Sequence, residues 1–400
     1  MIASLNNVPK LRFPEFSDAW EVKKLGKMAD FKAGYAFKSE QMLSEKSNFQ
    51  LLKMSNVYKN ELRLDRNSSY WENVNDKEKE FLLKEGDTIL TLTGTVGKQD
   101  YGYSIQIKEN NKYLLNQRLV LLREIQNVSC NDFISQLISN EKFLFYFFGE
   151  AKGGTGNQTN VGTEDVKNIQ LFFPTLPEQQ KIANFLSTVD KKLQALKKKK
   201  SLLETYKKGV MQKLFSQERN AARIRFKDDD GNDFEDWEVK KLGEICESIS
   251  SGKSKLNDSS FKFPFYGSTG IIGYSENFDY SGKNILIARV GANAGSLYKV
   301  DGNYSVSDNT LILNLFTNME PDFIYYFLMY SNLNKLVFGS GQPLITGGQL
   351  KGLKLNIPSP PEQTKIGNFL TAIDEKINKV DLQIKQTELW KKGLLQQMFV

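Results

Sequence analysis

The stretch TLPEQQKIANFLSTVDKKLQALKKKKSLLETYKKGVMQKLF, Thr175 to Phe215, returns 184 positions later as SPPEQTKIGNFLTAIDEKINKVDLQIKQTELWKKGLLQQMF, Ser359 to Phe399, with no gap. Both copies open with a helix-start signal: a Thr or Ser cap (Thr175, Ser359), prolines in the first turn, and Glu178 or Glu362 placed to reach back and close a capping box. Apolar residues then follow a 3-4 spacing: Ile182, Phe185, Val189, Leu193, Leu196, Leu203, Val210 and Leu214 in one copy, and Ile366, Phe369, Ile373, Ile377, Val380, Ile384, Leu394 and Met398 in the other. That spacing predicts a coiled-coil seam. A helix of about 39 residues is a rod of roughly 58 Å, too long for the core of one small domain. The two copies are therefore expected to be struts that pack on each other. Gly209 and Gly393 fall at matching places inside them, where each costs up to about 1 kcal/mol relative to Ala. A close backbone approach, to the other strut or to a partner helix, would account for both.

The repeat divides the 400 residues into two units of about 190 to 200 each, and a hydrophobic content of 40% with 25% charged residues is that of a chain able to bury a sizeable core. The start, MIASLNNVPK, has no basic segment followed by an apolar run, and no stretch approaches the roughly 18 apolar residues of a membrane span. A cytoplasmic location without membrane contact is expected. Two cysteines, Cys130 and Cys246, lie far apart, and there is no histidine. These counts exclude a disulfide framework, a histidine-ligated metal site and a histidine-dependent triad.

Net charge is +1 over residues 1–176, +7 over 177–215, −2 over 216–360 and +1 over 361–400. The excess therefore sits on the first strut. Its Lys197 to Lys200 run reads equally as an attractor of phosphate or of an acidic partner surface and as a solvated helix face. The globular parts are close to neutral, so any DNA they bind is not held by their charge alone.

LRFPEFSDAWEVKKLG, Leu11 to Gly26, introduces the first half, and IRFKDDDGNDFEDWEVKKLG, Ile224 to Gly243, introduces the second. WEVKKLG is identical in both, so the duplication covers whole units. The expected layout is a first domain at 11–174, a central helix at 175–216, a linker at 217–236, a second domain at 237–358 and a C-terminal helix at 359–400. Thr88 to Thr93 and Asn284 to Arg289 read as buried strands, each running into a Gly-rich turn. Asp132 to Phe148 and Asp322 to Phe338 read as one aromatic helix per domain, followed by small-residue loops from Gly153 and Gly339. The interiors of the two domains differ far more than their flanks and struts, as two readers of two different targets require.

No catalytic motif survives inspection. Gly252-Lys253-Ser254 has Glu247 where a P-loop needs its first glycine, and Pro360-Pro361 serves a helix start, not an adenine pocket. The Glu21-Val22-Lys23 and Glu238-Val239-Lys240 tripeptides sit too close to Asp18 and Asp236 for a nuclease metal site. What remains is an inventory suited to reading base edges. In the first domain it comprises Lys38, Thr93, Thr95, Lys98, Gln99, Gln117, Arg118, Asn157 and Gln158. The second offers Lys253, Tyr266, Ser268, Thr269, Arg289, Asn293, Asn309, Ser340 and Gln342, with Arg289 the foremost candidate.

The arrangement resembles the specificity (S) subunit of Type I restriction-modification enzymes, the HsdS family. The resemblance spans essentially the whole chain and rests on Pro177-Glu178-Gln179-Gln180-Lys181-Ile182 and Pro361-Glu362-Gln363-Thr364-Lys365-Ile366, each followed by Asn-Phe-Leu, and on the two WEVKKLG segments. It implies an α+β fold: two mixed α/β target recognition domains separated by two long helices, packed as an antiparallel coiled coil with an internal pseudo-twofold repeat. It also implies that each domain reads half of a split site in double-stranded DNA. Two modification (methyltransferase) subunits and the restriction subunits would bind the chain, which would be non-catalytic. S-adenosylmethionine, ATP and Mg would belong to those partners, and no cofactor or metal to this chain. Two features break the symmetry: Lys200 stands at a seam position matched by Ile384, and Leu203 is matched by Thr387. Apolar surface beyond the needs of one seam (Leu186, Leu202, Met211, Leu370, Trp390) is expected to be covered by partner subunits. The alternative reading is a coiled-coil scaffold whose globular ends bind ligands other than nucleic acid.

Overall fold

A computed structural model of the chain describes residues 7–58, 61–153, 157–216, 224–255, 262–339, 341 and 343–400. The repeated stretch forms two long helices, Leu176–Phe215 and Pro360–Met398. The chain makes two compact units: Met1–Leu196 with Gln383–Val400, and Lys197–Leu382. It passes from one to the other inside a long helix each time. Each unit thus owns the front of one long helix and the back of the other.

The core shows why. In the first unit Leu394, Met398 and Phe399 are buried with Trp20, Phe133, Ile182 and Leu186. Phe399 sets its ring 6.3 Å from Trp20 and 5.4 Å from Phe133. In the second, Val210, Leu214 and Phe215 are buried with Phe323, Ile366 and Leu370, and Phe215 lies 5.9 Å from Phe323 and 5.1 Å from Phe327. Phe215 and Phe399 are repeat equivalents with the same task. Leu186 and Leu370 are fully buried, contributing roughly 1.5–3 kcal/mol each. They are core residues and not spare surface, as is Met211, 7% exposed.

Within each unit the helix halves run antiparallel. Lys207 pairs with Asp374 at 2.6 Å and Lys200 with Asp381 in the second unit. In the first, Asp190 pairs with Lys391 at 2.6 Å, and the Phe185 ring meets Trp390 at 6.1 Å. Asp190–Lys391 is the repeat equivalent of Asp374–Lys207. The seam lysine Lys200 is thus neutralised by a partner, where its counterpart Ile384 is simply buried, 7% exposed.

The helix starts differ from expectation. Among the described residues Glu178 and Glu362 close no capping boxes; 1% and 0% exposed, they pair with residues outside their own helices. Glu178 takes a bidentate ion pair from Arg12 at 2.7 and 2.8 Å and a bond from Trp20 Nε1 at 3.3 Å. Glu362 takes the same set from Arg225, at 3.3 and 2.9 Å, and from Trp237 Nε1 at 2.9 Å. The neighbouring glutamines bridge too: Gln179 donates to Pro174 O and accepts from Cys130 N, while Gln363 donates to Pro358 O and accepts from Glu320 N. The Ser359 hydroxyl, read as a cap, is buried and makes no bond among the described residues. A buried carboxylate gains more from a guanidinium and an indole N–H than from its own backbone, so tertiary partners displaced the local motif.

The linker expectation meets bound chain from Ile224 onward. Besides Arg225, Phe226 packs on Phe369 at 5.5 Å, and Asp228 closes a turn by accepting from Asp230 N and Asn232 N. Among the described residues Gly209 has nothing within 4 Å of where a Cβ would stand, and Gly393 has only the Gln397 side-chain nitrogen at 3.9 Å. Close approach of the other strut therefore does not explain these glycines.

The globular parts share one framework. Strand Glu21–Lys24 pairs antiparallel with Gln170–Phe173, and Glu238–Lys241 with Lys354–Ile357, so each WEVKKLG segment is tied to the strand that leads into a long helix. Beside each lies a four-stranded antiparallel sheet. Its order is Ala29–Ala33, Leu119–Glu124, Thr88–Thr91, Ser104–Gln106 in one unit and Cys246–Ser251, Thr310–Leu315, Asn284–Ala288, Leu297–Val300 in the other. A second sheet, of three strands in the first unit and four in the second, holds one parallel pair in each, Phe49–Leu52 with Tyr113–Leu115 and Phe263–Gly267 with Asn303–Val306. The single aromatic helices are interrupted. Ser139 closes Asn131–Ile138 and Asn140 caps Glu141–Gly149, accepting from Lys142 N and Phe143 N; Asn332, at φ 51°, closes Pro321–Ser331 in the left-handed region. Asparagine favours both roles.

Candidate nucleic-acid interface

At one end of each four-stranded sheet three segments meet. In the first unit the turn Asn116-Gln117-Arg118 lies against Gly34 and Tyr35, with Gln117 N donating to Tyr35 O at 2.9 Å and Leu92 N to Arg118 O at 3.2 Å. A Cβ on Gly34 would stand 2.0 Å from Asn116 O, and one on Gly252 2.2 Å from Val306 O; both positions admit only glycine, because a neighbouring backbone occupies the space. In the second unit the turn Ser307-Asp308-Asn309 takes the corresponding place. Ser307 N donates to Tyr266 O at 2.9 Å and Arg289 N to Asn309 O at 2.8 Å. Matched by these bonds, the partner of Arg289 is Leu92, which is buried, 8% exposed. The two tips share a backbone and differ in the chemistry they present.

The first unit gathers most of its predicted readers. Thr93–Thr95 pairs with Gln158–Asn160, which pairs with Lys152–Gly153. This brings Thr95, Gln158, Asn157, Lys98 and Gln99 to one strand-and-turn face, with Gln117 and Arg118 exposed on the adjoining turn. Thr93 is 5% exposed and supports the strand instead of facing outward. The Thr95 hydroxyl donates to Asp100 Oδ2 at 2.7 Å and its amide to Asp100 Oδ1 at 2.7 Å. Burial opposes the charge on Asp100, but the Thr95 amide and hydroxyl outweigh it and hold the carboxyl below its usual range. Lys38 is exposed at the start of the turn Ser39–Gln41, on a separate segment.

In the second unit Arg289 is half-buried, and among the described residues its guanidinium donates to Asp308 O at 3.5 Å, a weak bond that leaves most of its donors for a ligand. Lys253 and Asn309 are exposed on the flanking segments, and Tyr266 is half-buried beside them, its phenol pushed up by burial. Ser268 and Thr269 form the turn into strand Gly270–Ser275, where Tyr298 OH donates to Ser268 O at 3.0 Å. Asn293 is exposed on the turn after the Arg289 strand. Ser340 and Gln342 lie outside the described residues. Sequence reading missed the strand after Thr269. Ile271, Ile272 and Tyr274 are 50%, 46% and 38% exposed, and two adjacent isoleucines exposed on opposite faces of an edge strand are a signal that periodicity alone does not give.

The predicted packing residues divide by depth. Ile182, Val189, Ile366, Ile373 and Val380 are buried, and Phe185, Leu193, Leu196, Phe369 and Ile377 half-buried. On the outer faces, Leu202 and Tyr206 precede Gly209 at 60% and 53% exposure in the second unit; in the first, Leu389 and Trp390 precede Gly393 at 73% and 49%. Tyr206 and Trp390, like the two glycines, are repeat equivalents. Each helix therefore carries a half-exposed aromatic three residues before a glycine. Among the described residues no helix is long and apolar enough to cross a membrane.

The fold is that of two like units on one duplicated framework, with differing tips, each unit holding the front of one long helix and the back of the other. The comparisons agree. Residues 17–205 and 234–387 match the family described as Type I restriction modification DNA specificity domain, and the chain belongs to that family. It is 26% identical over 428 aligned positions to the MjaVIII specificity subunit of Methanocaldococcus jannaschii, covering 96% of this chain and 92% of that one. To the EcoprrI specificity subunit of Escherichia coli it is 26% identical over 315 residues, 75% of this chain and 74% of that one. The crystal structure of the S subunit from M. genitalium superposes with a TM-score of 0.69 at 17% identity, covering 98% and 99% of the two chains. A chain from a structure concerned with assembly of the type I R-M system gives 0.52 at 15% identity, covering 95% and 97%.

Proposed function

We propose that this chain is the DNA sequence-specificity subunit of a Type I restriction-modification complex. On this reading it binds a bipartite, asymmetric site in double-stranded DNA, one half per unit, and scaffolds two modification subunits and the restriction subunits. It does no chemistry itself. S-adenosylmethionine, ATP and Mg are held by the partners, and what this chain supplies is position. The observation that supports the reading most is the pairing of a common framework with unlike tips, Leu92 and the Gln117-Arg118 turn against Arg289 and the Asp308-Asn309 turn. Mapping methylated adenines in cells that carry the chain with its modification subunits tests it; a palindromic motif would count against it. The scaffold alternative is not favoured by the family match.

Arg289→Ala is expected to relax specificity within the half-site read by the second unit, by roughly 1–3 kcal/mol, because bidentate Arg to guanine is the commonest specific contact. Binding measured on duplexes substituted in each half checks this, and a uniform loss on every duplex assigns Arg289 to phosphate instead.

The uncovered apolar faces of the long helices support partner docking. The purified chain alone should self-associate. Replacing Leu202 and Leu389 by Ser should reduce that association and weaken capture of modification subunits, while moving thermal unfolding by no more than the roughly 0.5 kcal/mol of a surface change. Monodisperse wild-type chain that binds DNA at full affinity by itself would refute this assignment.

A further inference from the structure

Of the arginines among the described residues, Arg12, Arg123 and Arg225 each spend their charge on a carboxylate, that of Glu178, Asp87 and Glu362. Arg63 does not. It is half-buried, and its guanidinium carbon stands 4.3 Å from the centroid of the Tyr58 ring. Glu61 and Asp65 flank it in the chain, yet among the described residues neither pairs with it, and no hydrogen bond engages its guanidinium donors. Arg66 and Arg118 are exposed and lie on no ring among the described residues.

The backbone of Arg63 is pinned on both sides. Arg63 N donates to Asn56 O at 2.7 Å, and Arg63 O accepts from Asn56 Nδ2 at 2.9 Å. Asn56 is fully buried; the same nitrogen donates to Arg66 O at 2.7 Å, and Asn56 Oδ1 accepts from Lys53 N at 2.9 Å. One asparagine thus fastens the loop that carries the arginine. The ring beneath it is placed as well. Tyr58 meets Tyr103 edge to face at 5.3 Å, and Tyr103 lies at the tip end of the four-stranded sheet, where Thr91 N, one residue before Leu92, donates to Tyr103 O at 2.9 Å. Tyr103 OH donates to the backbone oxygen of Gln99, on the reader face, at 3.3 Å. A column of Tyr103, Tyr58 and Arg63 therefore runs outward beside that face.

We infer that Arg63 reads a guanine in the half-site of the first unit, by its O6 and N7 in the major groove, with Tyr58 as the positioning residue; the inference rests on the function proposed above. Leu92 holds the place of Arg289 in this unit, so the shared framework supplies no guanidinium there, and the loop after strand Phe49–Leu52 brings one in from the side. A guanidinium is a planar fork of donors, and among base edges in the major groove only guanine offers two acceptors side by side. A phosphate needs no such fixed direction and is served by lysine as a point charge. Holding the backbone and the plane of the fork before binding lowers the ordering cost of a directional contact.

The test uses the full chain assembled with its modification subunits and duplexes carrying the methylation motif, with 7-deazaguanine, which lacks N7, placed at each guanine of the motif in turn. At one guanine in the first half the wild-type complex should bind the deaza duplex about tenfold more weakly than the parent. Arg63→Ala and Arg63→Lys should bind those two duplexes equally, and Tyr58→Leu should lose most of the same discrimination while Tyr58→Phe keeps it. Thermal unfolding of each variant should stay within about 3 °C of wild type. If Arg63→Ala fails to fold, Arg63→Lys, which keeps a charge over the ring, carries the test. Discrimination in the second half should be unchanged throughout, which separates failure of this inference from failure of the proposed function. A uniform loss on every duplex that Lys restores assigns Arg63 to phosphate and overturns the inference. Variants that discriminate as the wild type does also overturn it, since the column then only braces the loop, and so does a first half without guanine on either strand. A wild-type complex with no preferred duplex removes the proposed function and this inference with it.

Discussion

Glu178→Ala should destabilise the first unit by about 3–5 kcal/mol, the cost of deleting one member of a buried ion pair and leaving the other. Arg12, 11% exposed, would lose both of its bonds to the carboxylate, and the Trp20 indole N–H would lose its partner inside the aromatic cluster formed with Phe133 and Phe399. In a unit of this size that is a fall in Tm of roughly 6–20 °C, from about 2–4 °C per kcal/mol. Glu362→Ala should do the same to the second unit, somewhat less severely, because Arg225 is 26% exposed and can recover hydration. A variant with Arg12→Met and Glu178→Met together should lose much less than Glu178→Ala alone, since removing both charges leaves neither stranded. Calorimetry of the four chains checks this. A shift below about 1 kcal/mol for Glu178→Ala would mean that the helix starts are held by their prolines and glutamines instead.

Lengthening both long helices should change the spacing of the DNA site and nothing else about it. The chain crosses between its units between Leu196 and Lys197 and again between Leu382 and Gln383, both inside helices. Four residues inserted at each crossing add about 6 Å of helix and about 40° of rotation. At about 3.4 Å per base pair, the unspecified gap of the proposed bipartite site should grow by one or two base pairs, with both half-sequences unchanged. Inserting in both helices preserves the antiparallel pairing of Asp190 with Lys391 and of Lys207 with Asp374. The added turn still shifts the seam by part of a heptad, so weaker methylation is expected and does not bear on the outcome. The methylation motif of cells carrying the lengthened chain decides: an unchanged gap, or altered bases in either half, defeats the idea.

Much of this protein was legible in its residues because the deciding signals are local or repeated. The 3-4 spacing from Ile182 and from Ile366 lies within each segment, so it predicts a helix whatever the rest of the chain does. The 184-residue repeat and the two WEVKKLG segments place two like units without any contact being known. The reader loops were found by composition, but composition cannot rank them. Thr93 and Thr95 differ by two positions, and only the sheet shows that one is buried while the other spends its hydroxyl on Asp100.

The sequence by itself determined the two helices, the duplication, the absence of histidine chemistry and the family. Tertiary structure alone decided what the repeated motifs do. Glu178 reads as a cap from its spacing to Thr175, yet its partner Arg12 lies 166 positions away, and a buried carboxylate is claimed by the strongest donor that the fold brings to it. The same holds for Leu186 and Leu370, which fill the cores beside the far ends of the opposite helices, and for Gly209 and Gly393, which among the described residues face no part of the opposite helix. Periodicity reports which side of a helix is apolar; what covers that side is settled by contacts between residues far apart in the chain, and those exist only once it has folded.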